Sequence, residues 1–199
     1  MNNMEAKAEE ISSFLENLFI TITKDERFRN IYSDVGTLED KLGRYRTNFL
    51  ANWDEYKRIK DDFHFDQELY RNRFKTADIN LRNAIQLIDK FTITEILPAL
   101  KNTLKQIQHD VSDGKREIPN TASLEHDIPS IEEDKKGISL PASKAGDEPK
   151  SAFVSKVSRL NNWIDEASTV GKTIEKVENF YSKYGKYIVK GFKYLLLIL

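Results

Sequence analysis

Gly171-Lys172-Thr173 has the residue types that close a phosphate-binding P-loop, in which backbone amides cradle a nucleotide, the lysine reaches its outer phosphates and the threonine hydroxyl holds magnesium. The spacing denies that chemistry. The loop needs its first glycine at position 166, which is Glu166, and it needs a preceding strand, whereas the flanking residues follow a helical period. His64, His109 and His126 stand far apart, and no two carboxylate-x-x-His motifs fall on facing helices as a two-metal bundle requires. The chain contains no cysteine, so it has no disulfide, no thiolate metal site and no cysteine nucleophile, and it carries no Gly-x-Ser-x-Gly motif. Its many carboxylates are spread as solvated helical faces. No catalytic, cofactor or metal residue is expected, and the chain reads as a non-enzyme.

The chemistry that remains is that of ammonium groups. From Asn179 to Leu199 there is no acidic residue, while Lys183, Lys186, Lys190 and Lys193 recur at spacings of three, four and three. At 3.6 residues per turn these four charges form one stripe. Opposite them, Tyr181, Tyr184, Ile188, Phe192, Leu195 and Leu199 make an apolar face, and Leu195 to Leu199 is apolar all round. A lysine stripe opposite aromatic and leucine residues is the composition of a helix lying at a membrane interface. The expected partner is therefore an anionic membrane surface, met by Lys183, Lys186, Lys190, Lys193, Tyr184, Ile188, Phe192, Leu195, Leu196 and Leu199. The run from Ile188 to Leu199 contains two lysines and falls short of the ~20 apolar residues that span a bilayer core. The alternative is that this face packs inside a bundle, or that the seam of Trp163, Val170, Ile174, Val177 and Tyr181 pairs with a protein partner or a second copy.

These residues need elements to hold them, and the hydropathy pattern supplies helices. Ile11, Leu15, Leu18 and Ile22, widened by Phe14 and Phe19, predict a helix over 4–23, followed by a charged connector over 24–36. Thr37 is placed to cap a second helix over 37–63, whose apolar positions Leu38, Leu42, Tyr45, Phe49, Tyr56, Ile59 and Phe63 alternate at four and three with Asn52 in one polar slot. A reversal at 63–66 leads to a third helix over 66–112. Its seam runs through Tyr70, Phe74, Ala77, Leu81, Ala84, Ile88 and Phe91, then shifts by two residues to Ile93, Leu97, Leu100, Leu104, Ile107 and Val111. Pro98 follows that shift, so a bend is expected near 94–98, and the second and third helices should form an antiparallel hairpin.

Residues 113–150 change character: glycines and prolines punctuate them, no apolar period survives, and a flexible charged linker is expected. Beyond it, heptad spacing over 151–199 predicts one long helix, or one hinged at Gly171, Gly185 or Gly191. Net charge is −2 over 1–112, −3 over 113–150 and +4 over 151–199, giving −1 in all. Mixed signs on the body argue against nucleic-acid binding. The first ten residues have no basic region ahead of a hydrophobic core and so no secretory signal. Together with the absent cysteines, this points to a cytoplasmic protein, peripheral to a membrane. The expected fold is all-α: an elongated bundle of long heptad-patterned helices over 1–112, a disordered linker, and a long amphipathic C-terminal helix.

Overall fold

The computed structural model describes residues 3–24, 37–61, 67–115, 149–171 and 180–198. The expected linker, apart from its first and last residues, and the seam positions Phe63, Ile174, Val177 and Leu199 lie outside the described residues. What is described is all-α, with no strand among the described residues. The helices are α1 (Asn3–Thr23), α2 (Leu38–Asp61), α3 (Gln67–Phe91), α4 (Leu97–Ser112), α5 (Pro149–Gly171) and α6 (Lys186–Ile198).

α1 buries Ile11, Phe14, Leu15, Leu18 and Ile22, the stripe its spacing predicts. Its threonine-rich end is helical as well, with Thr21 and Thr23 turning their hydroxyls back to the carbonyls of Asn17 (2.7 Å) and Phe19 (2.8 Å). The apolar period that ends in buried Ile22 outweighs the strand propensity of these few β-branched residues. α2 begins where Thr37 Oγ1 accepts the Asp40 N–H at 3.3 Å, the capping contact expected of it. Within α2 the seam departs from strict alternation. Asn52 turns to its own helix, donating to the Asn48 carbonyl at 2.8 Å, and Trp53 takes the core position and stacks on Tyr56 with ring centroids 5.8 Å apart.

α2 and α3 form the predicted antiparallel hairpin. Tyr56 meets Phe74 near its closed end and Tyr45 stacks on Phe91 near its open end, an order of pairing that only opposite directions allow. α1 runs antiparallel to α2 as well, tied by Lys60 to Glu5 (2.8 Å) at one end and by Arg46 to Glu16 further along. α4 and α5 are antiparallel in turn, joined by an ion pair between Lys101 and Asp165 and by Gln108 donating to Ser158 at 2.9 Å. A single hydrophobic core runs through all six helices.

Between α3 and α4 the helix does not break at Pro98. Instead Thr92–Ile96 form one π turn, closed by the Leu97 N–H donating to the Thr92 carbonyl. A π turn inserts one residue into a helix, so every later side chain advances by one position. That insertion accounts for half of the two-residue seam shift. The other half is a change of partner: α3 packs on α2, whereas α4 packs on α5 and α6. Pro98 follows directly on that turn, so its missing N–H falls where the backbone has already left the regular i→i−4 pattern.

Candidate functional site

The basic segment is built from a second π turn, Tyr181–Gly185, that runs directly into α6. Lys183, Lys186, Lys190 and Lys193 are all exposed. Tyr181, Tyr184, Ile188, Phe192 and Leu195 are all buried, as are Phe180 and Val189. The division between charged and apolar sides is the one the spacing predicts. Leu196 is placed in α6 by its backbone.

The apolar side is covered from three directions. Phe14 of α1 lies against Tyr181, ring centroids 5.0 Å apart; Trp163 of α5 meets Tyr184 at 5.9 Å and Tyr187 at 5.3 Å; Leu100 of α4 sits over Gly191. Trp163 and Tyr181 are thereby occupied inside the chain, and Val170 is half-buried at the edge of the same core. The glycines that read as hinges have another role here. A Cβ on Gly191 would lie 2.8 Å from Leu100 Cδ2, on Gly185 3.1 Å from Phe14 Cδ2, and on Gly171 3.0 Å from Ile93 Cγ1. Gly191 lies within α6, which continues through it without a hinge; at it and at Gly185 the segment approaches the body closely enough that a Cβ would crowd Leu100 and Phe14.

On the charged side, Lys183 and Lys186 lie over the rings of Tyr184 (5.0 Å) and Tyr187 (4.9 Å), contacts that steady an ammonium group without neutralising it. Lys190 and Lys193 make no ion pair among the described residues. A groove of about 440 Å³ follows the seam between α1 and α6, with Lys186, Lys190 and Lys193 on one wall, Glu10, Ser13 and Asn17 on the other, and Phe14 and Val189 beneath. Glu10 also accepts the backbone N–H of Ser182 at 3.3 Å. The arrangement offers electrostatic attraction to phosphates.

Beneath the stripe lies a polar cluster that the sequence reading missed. Tyr181 donates its hydroxyl to Asp89 Oδ1 at 3.0 Å and shares a 3.3 Å contact with Thr92 Oγ1, while Lys7 binds Asp89 Oδ2 at 2.7 Å. Asp89 is only 4% exposed and Tyr181 3%. The Tyr181 hydroxyl is pushed well above the usual tyrosine range, first by burial and then by the Asp89 carboxylate.

Compared with known proteins, the chain matches no family model, no curated protein and no solved structure. Among the described residues, no group of His, Cys, Asp and Glu could hold a metal ion, and no helix is long and apolar enough to cross a membrane. His109 stands at the exposed end of α4 beside Asp113 (3.5 Å), and Gly171 ends a helix with no strand before it. His64, His126, Lys172 and Thr173 lie outside the described residues.

Proposed function

We propose that the protein is a non-enzymatic, membrane-acting helical bundle of the effector or toxin type, which meets the anionic cytoplasmic face of a membrane with the lysine stripe of its C-terminal helix. One observation supports this reading above the rest: a single segment exposes all four lysines on one side while its apolar side, from Tyr181 to Leu195, is sealed against α1, α4 and α5. Attraction to an anionic leaflet contributes about 1 kcal/mol per basic residue near the surface, so four lysines supply ~4 kcal/mol. That corresponds to a dissociation constant on the order of 1 mM, which is docking and not insertion. Insertion needs the buried face as well. Moving Tyr184, Ile188, Phe192 and Leu195 from one apolar surrounding to another changes their hydrophobic term little, because lipid tails are as apolar as a leucine-lined core. A modest bias from a partner, from assembly of several copies or from cleavage in the 113–150 segment then decides between the stored and the inserted helix.

The test is co-sedimentation of the full chain with phosphatidylserine-containing vesicles and with neutral phosphatidylcholine vesicles. Binding to the anionic vesicles, weakened by salt and abolished when Lys183, Lys186, Lys190 and Lys193 are replaced by Glu with helicity unchanged, is expected. Equal binding to both vesicle types, or binding that survives the replacements, refutes the reading.

A second reading, a soluble adaptor for a protein partner or for a second copy, draws on a different face. Leu69 and Leu87 on α3 are exposed and stand five turns apart on one side of the helix. A chain that ignores both vesicle types and elutes as a dimer in light scattering supports it.

A further inference from the structure

The two π turns face one another. Thr92 opens the first and Tyr181 opens the second, and their hydroxyls lie 3.3 Å apart inside the core, beside Asp89, which stands two residues before Phe91 at the end of α3. The local geometry follows from the insertions. A π turn widens the helix locally, and here the residue that opens each turn bears a hydroxyl: Tyr181 donates to the Asp89 carboxylate and Thr92 meets the Tyr181 hydroxyl. Lys7 of α1 completes the cluster from the third side at 2.7 Å.

Such a cluster is an odd choice for a seam meant only to hold. A buried carboxylate and its partners add little over well-packed apolar residues, since desolvating the charges offsets the attraction between them. Yet removing one partner is costly, because the remaining charge stays buried without its hydrogen bond. Around it lie apolar side chains, from Phe14 to Ile188 and Phe192. Asp89 and Lys7 lie on the body and Tyr181 on the C-terminal segment, so the hydroxyl of Tyr181 leaves the cluster if that segment detaches. After detachment Asp89 and Lys7 remain paired with each other and take up water.

We infer that the Tyr181–Asp89 hydrogen bond, set at the meeting of the two π turns, is an autoinhibitory latch that holds residues 180–198 against α1 and α4 and whose loss frees them without unfolding the α2–α3 hairpin. This rests on the stored-helix part of the proposed function and not on its lipid part. The latch adds to the apolar packing of the segment a buried directional bond, whose loss weakens docking at one point while the Asp89–Lys7 pair it leaves behind can be solvated. It also explains why the sealing face begins with a tyrosine where a phenylalanine would pack as well.

The test is hydrogen exchange on the full chain in the absence of lipid, comparing wild type with Y181F, D89N and Y184F. Tyr184 is also buried and lies three residues further along, with a hydroxyl that makes no hydrogen bond among the described residues, so Y184F controls for the loss of a phenol. Y181F is expected to speed exchange of the α6 amides by roughly tenfold or more, the loss of one hydrogen bond to a charged group, while amides of α2 and α3 keep their wild-type rates. D89N should act in the same direction, and Y184F should leave α6 unchanged. Three results overturn the latch: no acceleration in Y181F, the same acceleration in Y184F, or acceleration spread evenly over all helices. A chain that opens as expected yet ignores anionic vesicles leaves the latch standing and refutes the membrane reading alone.

Discussion

Gly191→Ala is the smallest change that sets the docked helix against itself. The added methyl carbon would lie 2.8 Å from Leu100 Cδ2, 3.3 Å from Cδ1 and 3.6 Å from Cγ, and Leu100 is fully buried. Carbon atoms rest about 3.5–4.0 Å apart, so the methyl enters roughly 1 Å inside contact and Leu100 has no solvent to retreat into. Overpacking of that kind costs about 1–3 kcal/mol. In a helix interior alanine is also favoured over glycine by about 1 kcal/mol, but that gain belongs to the helix whether docked or free. Docking alone therefore weakens by ~1–3 kcal/mol, while global stability falls by ~2 kcal/mol at most. Leu100→Ala by itself should cost ~2–5 kcal/mol through the cavity it leaves. In the double variant the methyl added at position 191 enters that cavity, the clash disappears, and the pair should be less destabilised than the sum of the singles by ~1–3 kcal/mol. Urea denaturation of the four proteins measures this directly. If the two changes add to within ~0.5 kcal/mol, the methyl does not meet Leu100 and the close approach of α6 to α4 is wrong.

Two further outcomes are expected. Tyr56, pushed to about 12 by burial and by its hydrogen bond to Glu5, and Tyr181, raised well above the usual range by burial and Asp89, both hold their protons more tightly folded than unfolded. Their contribution to stability is thus full below pH ~10 and lost as pH rises through the folded values, so resistance to urea should decline above pH ~10 in wild type and less steeply in a Y56F/Y181F double variant. Trp53→Ala should cost ~3–5 kcal/mol by denaturation, whereas Asn52→Ala should stay within ~0.5 kcal/mol, and comparable losses from both would restore Asn52 to the seam.

The helices were legible because periodicity is a local property: Ile11 to Ile22 and Tyr70 to Phe91 each repeat often enough to settle a face. The same rule passed over Trp53: a straight helix at 3.6 residues per turn drifts against a strict heptad, so this bulkier neighbour fills the core position while Asn52 stays at the seam's edge. Pro98 and the re-phased seam located the irregularity at 92–96, but a bend and a π turn leave the same trace in sequence. The lysine stripe and its opposite face were equally plain. What covers that face was not, because a hydropathy pattern shows that a side is apolar and not which residues meet it. Gly185 and Gly191 were read for backbone freedom and act through the room they leave for Phe14 and Leu100. Asp89 was invisible for another reason: its partners stand 82 and 92 residues away, and a single acid beside Ile88 looks like any solvated position.

The π turn at Thr92–Ile96 also sets which lesions this chain can survive. Deleting any one of those five residues would restore a regular α-helix, locally an improvement in hydrogen-bond geometry. Yet it would turn everything after it by about 100° relative to α3. Leu97, Leu100, Leu104, Ile107 and Val111 would swing away from α5 and α6 together, and Thr92 would no longer stand opposite Tyr181. Ordinary substitutions across the same stretch disturb one contact each. Chain length between Phe91 and Leu97 is therefore held more strictly than residue identity there, and a loss of one codon in this interval would be graver than most exchanges of one amino acid for another.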